Sequence, residues 1–255
     1  MQFSPAFQRA TFLRRYKRFL ADVRLDTGEE VTIHCPNTGS MRECMQEGTD
    51  CWFSVSDNPK RKYARTWEIA TTPSGHLAGI NSARANALVV EAIEAGVIGE
   101  LQGYAELKTE VRYGAERSRI DVLLAGHGSD RRDCYVEVKS VTLLELIDGH
   151  PQGCFPDSVS ARGSKHLREL VAMVQQGHRA VLMFCVQHSG IESVMAAAHI
   201  DPEYARTLSW ALDQGVEVLA YKTEVSAAEI RVSDKVVVEK SHVLGLDENH
   251  AIDHL

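Results

Sequence analysis

Short stretches of alternating apolar and polar residues dominate the first 80 positions of the chain. Four of these stretches are typical of β-strands, at residues 18–25, 30–35, 50–56 and 66–71. Turn-forming residues separate them, as in Asp26-Thr27-Gly28 and Glu47-Gly48. Several short strands at this spacing predict a small barrel over residues 1–80, and we expect it to be OB-like.

From residue 81 onward, longer amphipathic stretches alternate with short apolar ones. Helices are predicted at about 82–95, 163–176 and 201–215, each with a helix-starting or helix-ending residue at its boundary. Strands are predicted at 107–113, 119–124, 134–140, 180–186 and 216–221. Strand-helix-strand units that follow a hairpin predict an α/β domain with a mixed sheet over residues 81–234. Residues 235–255 are an extension to which the pattern assigns no structure.

The strand-like runs 118–124 and 134–140 carry the first indication of chemistry. Folded as a hairpin centred near Ser129, they would place Asp121 opposite Glu137, with Lys139 on the same face as Glu137. Two carboxylates and a lysine at a strand edge are what a metal-dependent phosphodiesterase of the PD-(D/E)xK type requires. Val-Glu-Val-Lys equally fits a half-buried strand whose polar face meets water, so this reading needs support from further residues.

Candidate residues around this hairpin come from the two helices that flank it. Glu91 shares a helical stripe with small apolar residues, which would bring it near Asp121, although a surface glutamate fits the same pattern. Arg162, Lys165 and His166 cluster at the start of the second helix, where free N–H groups already favour phosphate. A solvated basic face is the alternative for this cluster, and His166 fits a hydrogen-bonding role better than a metal ligand.

A basic run near the N-terminus is the second candidate surface. The net charge of the whole chain is −7, yet residues 1–65 carry 11 Lys and Arg against 8 Asp and Glu. Local charge decides where phosphates bind, so an acidic total does not exclude nucleic acid. The cations that we assign to this surface are Arg14, Arg15, Lys17 and Arg18. The turn-like stretch 36–41 adds Asn37 and Thr38, because its glycine lets backbone N–H groups approach a ligand closely.

Composition limits the class of protein without naming an activity. Hydrophobic residues make up 44% and charged residues 25% of the chain, as in ordinary globular proteins. No apolar run approaches the length of a membrane span, and the first residues lack the pattern of a secretory signal. Six cysteines are scattered without a C-x-x-C pair, which is typical of a reducing compartment. We therefore expect a cytoplasmic location and no membrane partner.

Several longer motifs make the chain resemble the sugar fermentation stimulation protein A family. The segments that carry the resemblance are 3–5, 14–23, 34–41, 113–121, 135–142, 155–157, 162–163 and 165–170, and the match extends over about residues 1–225. The resemblance implies an OB-like domain followed by a restriction-endonuclease-like domain. It also implies sequence-nonspecific DNA binding and a regulatory role in maltose use. Carried over by position, Asp121, Glu137 and Lys139 match the nuclease-type triad, with Glu91 as a fourth member.

Three functions follow as hypotheses. The first is a nonspecific DNA-binding protein that carries a nuclease-type site. The second is an active nuclease for DNA or RNA, in which Asp121 and Glu137 would hold Mg²⁺ or Mn²⁺ and Lys139 would orient the attacking water. The third is an interaction scaffold with no affinity for nucleic acid. DNA binding ranks first, with nuclease activity as an addition to it.

Overall fold

The computed structural model describes residues 1–114, 118–130 and 132–239. Its first sheet contains six strands, β1 (Gln8–Tyr16), β2 (Leu20–Arg24), β3 (Glu30–His34), β4 (Asp50–Val55), β5 (Arg65–Thr71) and β6 (Leu77–Gly79). Their order is β3-β2-β1-β4-β5-β6, and a contact between His34 and Thr66 closes the sheet by joining β3 to β5. The barrel interior is apolar, with Phe12 stacked on Trp67 at 4.8 Å between ring centroids. The expected OB-like barrel is confirmed.

The second sheet forms the core of the remaining chain. Its strands are β7 (Tyr104–Tyr113), β8 (Ser118–His127), β9 (Cys134–Val141), β12 (Arg179–Val186), β14 (Glu217–Val225) and β15 (Ile230–Lys235). Their order in the sheet is β15-β14-β12-β9-β8-β7, with β9, β12 and β14 parallel and the other pairs antiparallel. This arrangement confirms the expected mixed-sheet domain with helices.

Three helices cover the two faces of this sheet. Helix α1 (Ala85–Glu94) buries Leu88 and Val89 against one face, where Val122 and Val136 also lie. Helices α2 (Ala161–Gln175) and α3 (Pro202–Asp213) pack on the opposite face. The amphipathic stripe of each helix therefore has a sheet to cover, which is why periodicity located all three. No helix in the described ranges is long and apolar enough to cross a membrane.

A third sheet lies in a region where the pattern predicts a loop. It contains β10 (Leu143–Ile147), β11 (His150–Phe155), β13 (Ser193–Ala196) and β16 (Val237–Val238). The stretch 141–160 is thus largely strand, and Asp148 and Gly149 form its two-residue turn with φ of 52° and 80°. Part of the C-terminal extension, residues 237–238, is a strand of this sheet, and residues 240–255 lie outside the described residues.

The N-terminal residues and the barrel both contact the second domain. The backbone N–H groups of Phe3 and Phe7 donate to the carbonyls of Ala228 and Ala227, and Phe7 packs in the α1-side core. Residues 1–7, which the pattern grouped with the barrel, therefore lie against the domain that follows it. Strand β6 of the barrel contacts residues 187–189 in the same way.

Candidate metal centre and nucleic-acid clefts

The pairing between β8 and β9 ends just before Asp121 and Glu137. The strands pair antiparallel up to Val122 and Val136, which makes Asp121 and Glu137 the next residues in register, as the sequence predicted. Beyond this pair, the backbone N–H of Val138 donates to Oδ2 of Asp121 at 2.7 Å. A side-chain carboxylate thus takes the place of a backbone carbonyl as the acceptor. The ladder between the two strands ends at this point, with Asp121 and Glu137 in the next register positions.

Glu137 is a buried carboxylate, with only 2% of its surface exposed. Its Oε1 atom lies against Nδ1 of His166 and accepts a hydrogen bond from Nζ of Lys139 at 2.5 Å. Burial on its own would raise the pKa of Glu137, but the hydrogen bond from His166 and the charge of Lys139 outweigh it and lower that pKa. Glu137 is thus held as an anion. Its second oxygen, Oε2, has no hydrogen-bond partner among the described residues.

Asp121 responds to the same surroundings in the opposite direction. Burial raises its pKa, and the nearby charge of Glu137 raises it further, against the opposing effect of the Val138 N–H. Two carboxylates that share a site repel each other when both are ionised. A cation between them would remove that repulsion.

The ring of His166 lies between two cations and the carboxylate of Glu137. Nε of Arg162 lies 3.2 Å from its Nε2, and because a guanidinium can only donate, Nε2 is the acceptor. Nδ1 faces Glu137 and also lies 3.1 Å from Nζ of Lys139. His166 orients a carboxylate that can bind a metal, which is how outer residues support metal ligands.

Glu91 does not join this group, which corrects the expectation for α1. Its carboxylate is exposed and binds the N-terminal amine of Met1 at 2.5 Å. The α1 side chain that contacts Asp121 is Asn86, whose Nδ2 donates to Oδ1 of Asp121 at 2.7 Å. Glu91 lies five residues further along the helix than Asn86, so the two side chains leave the helix in different directions.

Two clefts lie beside these residues, one lined by Lys139 and the other by Asp121. The first, which we call the interdomain cleft, has a volume of about 440 Å³ and lies between the barrel and the second domain. Its lining includes Arg18, Asn37, Thr38, Ser82, Asn86, Lys139, Ser140, Thr142, Asp157, Ser158 and Val159. The second, the cationic cleft, has a volume of about 370 Å³ and is lined by Glu110, Ser118, Arg119, Asp121, Arg162, Lys165 and His166. The structure thus brings the predicted helix cations to Asp121, and Arg18, Asn37 and Thr38 to Lys139.

Two of the four predicted barrel cations, Arg14 and Arg15, have partners within the barrel itself. Arg14 forms an ion pair with Asp22 at 2.9 Å. The guanidinium of Arg15 donates to the carbonyls of Arg18, Asn37 and Gly39, so it ties the β1–β2 turn to the stretch 36–41.

Lys17 and Arg18 lie in the turn between β1 and β2, in the left-handed region with φ of 51° and 61°. Both side chains are exposed. Neither side chain forms a hydrogen bond or ion pair within the described residues, and Arg18 also lines the interdomain cleft.

Two charged residues of the site escaped sequence reasoning. Arg119 lines the cationic cleft beside Asp121, and its position two residues earlier on β8 was the available signal. Glu169 lies on α2, three residues after His166, and is only 4% exposed. Neither of its carboxylate oxygens has a hydrogen-bond partner within the described residues. Its burial beside Gly114 depends on tertiary packing and leaves no signal in the sequence.

The arrangement combines hard oxygen ligands with an ammonium group. In the part of the chain that the structure describes, no three His, Cys, Asp or Glu side chains are grouped to hold a metal ion alone. Asp121 and the unpartnered Oε2 of Glu137 still offer two carboxylates, and Mg²⁺ usually takes only one or two from a protein. The donor set therefore fits a hard divalent ion that keeps water or phosphate oxygens in its remaining positions.

Comparison with known proteins gives consistent matches over nearly the whole described chain. Residues 83–229 match the family model for the sugar fermentation stimulation protein RE domain, and residues 13–80 match the SfsA N-terminal OB domain. A sugar fermentation stimulation protein homolog of Shewanella halifaxensis is 62% identical over 232 residues, which cover 91% of this chain and 97% of the relative. The homolog of Shewanella pealeana is 63% identical over 226 residues, 89% of this chain and 94% of the relative.

Among solved structures, Pyrococcus furiosus SfsA in complex with Ca²⁺ has the same fold. The TM-score is 0.81 at 29% sequence identity, and the alignment covers 94% of this chain and 98% of that chain. The similarity therefore includes both the barrel and the mixed-sheet domain.

Proposed function

Because the chain belongs to the sugar fermentation stimulation protein family, we propose that it binds nucleic acid without sequence specificity and carries a divalent-metal site of the PD-(D/E)xK type. The observation that carries this proposal is the end of the β8–β9 pairing at Asp121 and Glu137, where Lys139 donates to Glu137 and where Asp121 and Lys139 each line a cleft. DNA is the expected partner, and RNA has the same phosphate chemistry.

Binding of a polyanion is supported by the charges that line the cationic cleft. Arg119, Arg162 and Lys165 outnumber the acids Glu110 and Asp121 there. Contacts of this kind recognise phosphates, which every sequence shares, so they predict affinity without base preference. Affinity that arises from phosphate contacts falls steeply as the salt concentration rises, because binding releases counterions.

Mg²⁺ or Mn²⁺ is the proposed cofactor, held by Asp121 and Glu137. The unpartnered oxygen of buried Glu137 and the Ca²⁺ complex of the Pyrococcus furiosus protein both favour a hard divalent ion. When bound, such an ion lowers the pKa of a water molecule and polarises a phosphoryl oxygen. His166 would keep Glu137 oriented toward the ion, and Asn86 would do the same for Asp121.

Hydrolysis of a phosphodiester is the second candidate function, and the position of Lys139 favours it. Its ammonium lies 2.5 Å from the carboxylate of Glu137, where it can stabilise charge that develops on a phosphoryl group. Arg162 and Lys165 would hold the adjacent phosphates. A regulatory role in the use of maltose or other sugars rests on the family and its name.

The experiment that tests both functions incubates labelled single- and double-stranded DNA with the protein in EDTA, Mg²⁺ or Mn²⁺. Binding and cleavage are scored from the same samples for wild type and Glu137→Ala. We expect metal-dependent cleavage to fall by about 10²–10³-fold in the variant, since a group that organises transition-state charge is lost. Binding in EDTA should stay within a few-fold of wild type.

Glu145→Ala is the matched control, because Glu145 is a half-buried glutamate of β10, in the third sheet, and its carboxylate contacts the ring of His199. Its cleavage should equal that of wild type. Wild-type cleavage by Glu137→Ala would refute the assignment of the metal site. If no DNA or RNA binds at physiological salt, the nucleic-acid function itself is wrong.

A further inference from the structure

The interdomain cleft differs from the cationic cleft in the chemistry of its lining. Most of its polar side chains are neutral hydroxyls and amides, from Asn37, Thr38, Ser82, Asn86, Ser140, Thr142, Ser158 and Ser160. Its only charged residues are Arg18, Lys139 and Asp157. Neutral donors and acceptors suit the uncharged edges of a base or a sugar, whereas phosphates are bound mostly by cations.

Several of these polar groups are available to a ligand. Within the described residues, the hydroxyls of Thr38, Ser82 and Thr142 form no hydrogen bond, although each can donate and accept. Asn86 uses only its amide nitrogen for Asp121, which leaves its oxygen as an acceptor. The cleft can therefore satisfy both donors and acceptors on a ligand that enters it.

Asp157, the acid that lines the cleft, is hydrogen-bonded to the barrel. The Asp157 carboxylate accepts hydrogen bonds from the backbone N–H groups of Ser40 at 2.8 Å and Met41 at 3.4 Å. The Ser40 hydroxyl adds a third hydrogen bond at 3.2 Å. The carboxylate is therefore engaged in a contact between the barrel and the second domain, while Arg18 and Lys139 supply positive charge to the lining of the cleft.

An apolar surface for a base lies at the same place. Val159 lines the cleft and is 77% exposed, which no packing in the described residues explains. Leu143, Phe155 and Pro156 contribute further apolar lining. An exposed apolar side chain beside unpaired polar groups is typical of a ligand site.

The size of the cleft restricts what part of a nucleic acid can enter. Its volume of about 440 Å³ lies near the lower end of small-molecule pockets, which span roughly 300–1,000 Å³. A base that is paired and stacked in a duplex cannot leave its neighbours without the energy of unpairing, whereas an unpaired base can. The cleft therefore has room for about one nucleoside, which can enter it only when its base is unpaired.

We propose that the interdomain cleft binds one unpaired nucleoside next to the phosphate held at Lys139, so that the protein selects single-stranded or locally unpaired nucleic acid. This inference rests on the proposed function and names its substrate class. The sugar and base face the hydroxyls of Thr38, Ser82 and Thr142, and the base rests against Val159. The phosphates of the same strand continue past Lys139 into the cationic cleft.

The test uses oligonucleotides that carry the fluorescent base 2-aminopurine in a single strand, in a full duplex, or as one unpaired base within a duplex. Affinity and fluorescence are measured in EDTA and in Ca²⁺. We expect the single strand and the bulged duplex to bind at least ten-fold more tightly than the full duplex. Ser158→Trp, which fills the cleft from an exposed lining position, should remove that preference.

Ser209→Trp is the matched control, because Ser209 is exposed on α3 and lies outside the cleft. It should bind as wild type does. Thr142→Val, which keeps the side-chain shape and removes the hydroxyl, should weaken binding of the single strand by about five-fold without affecting the duplex. Because Thr142→Val adds no bulk to the cleft, weaker binding by this variant cannot be attributed to the size of an introduced tryptophan.

The outcomes separate the inference from the function on which it rests. Equal affinity for all three oligonucleotides, or a preference that survives Ser158→Trp, would overturn the nucleoside site and leave nonspecific binding intact. Absence of binding to every oligonucleotide would overturn the proposed function and the inference together. A preference that is lost in Ser158→Trp and kept in Ser209→Trp supports both.

Discussion

At the scale of single residues, the two most buried glutamates differ in how their oxygens are satisfied. Glu68 is 1% exposed, and its carboxylate accepts hydrogen bonds from Ser54 at 2.6 Å, Asn81 at 2.9 Å and Arg84 at 2.6 Å. Glu137 is almost equally buried, yet one of its oxygens has no partner in the described chain. A fully satisfied buried carboxylate is typical of a structural role, and an unsatisfied one indicates a site for a ligand.

The structural role of Glu68 can be tested through its ion pair. Arg84→Met should lower the free energy of unfolding by about 3 kcal/mol, because it leaves a buried carboxylate without its countercharge. Arg206→Met should cost less than about 1 kcal/mol, since Arg206 pairs with Glu203 on an exposed helix face. Urea unfolding of the two variants provides the measurement. Equal losses would contradict the assignment of Glu68 as a structural carboxylate.

At the scale of elements, one aspartate holds the starts of two helices. Asp201 accepts the N–H of Tyr204 at 2.9 Å and thereby caps α3. Its other oxygen accepts the N–H of Ser160 at 2.7 Å, and the Ser160 side chain caps α2 by accepting from Gly163. The first turn of α2 carries Arg162, so the cap of one helix fixes the position of a cation near the site.

Removal of this shared cap should therefore affect both stability and the site. Asp201→Ala is expected to lower the free energy of unfolding by about 3 kcal/mol, from a lost cap and an unsatisfied buried N–H. Amide hydrogen exchange at residues 161–166 should accelerate in the same variant. Asp213→Ala, at the exposed end of α3, serves as the control and should change neither quantity by much. Unchanged exchange in α2 would show that Asp201 acts on α3 alone.

At the scale of the whole molecule, His188 lies where the barrel meets the second domain. It is buried, and its backbone forms an isolated antiparallel β-bridge with Ala78 of β6. The centroid of its ring lies 5.6 Å from that of His76. Desolvation, together with the nearby charges of His76 and Lys222, lowers the pKa of His188 to about 4. This junction is thus built around a neutral imidazole.

Acidification should consequently destabilise the junction. Between pH 6.5 and 4 the unfolded chain binds a proton at His188 that the folded chain does not bind, so stability falls as the pH falls through this window. The full loss is about 3 kcal/mol for a shift of this size. Urea unfolding at pH 7 and pH 5 should show a smaller loss in His188→Gln than in wild type. His150→Gln, which changes an exposed histidine, should retain the wild-type loss; the same pH dependence in both variants would exclude His188 as the cause.

Much of the fold was accessible from the sequence, because strand alternation and helix periodicity are local properties. The pattern located four of the six barrel strands, all three α-helices and the hairpin register that places Asp121 beside Glu137. The hairpin of β10 and β11 was missed although Asp148-Gly149 is a strong turn signal, since Pro151 and Gly153 weaken the strand pattern of β11.

The sequence by itself determined the two-domain order and the face of β9 that carries Glu137 and Lys139, because a period of two residues assigns side chains to faces without reference to the rest of the chain. Only the tertiary structure decided which α1 residue reaches Asp121, since Asn86 and Glu91 share one helix and differ in direction. It also decided the interdomain cleft, whose contact between Ser40 and Asp157 joins residues 117 positions apart. Contacts of that separation arise from packing between domains, and no local pattern encodes them.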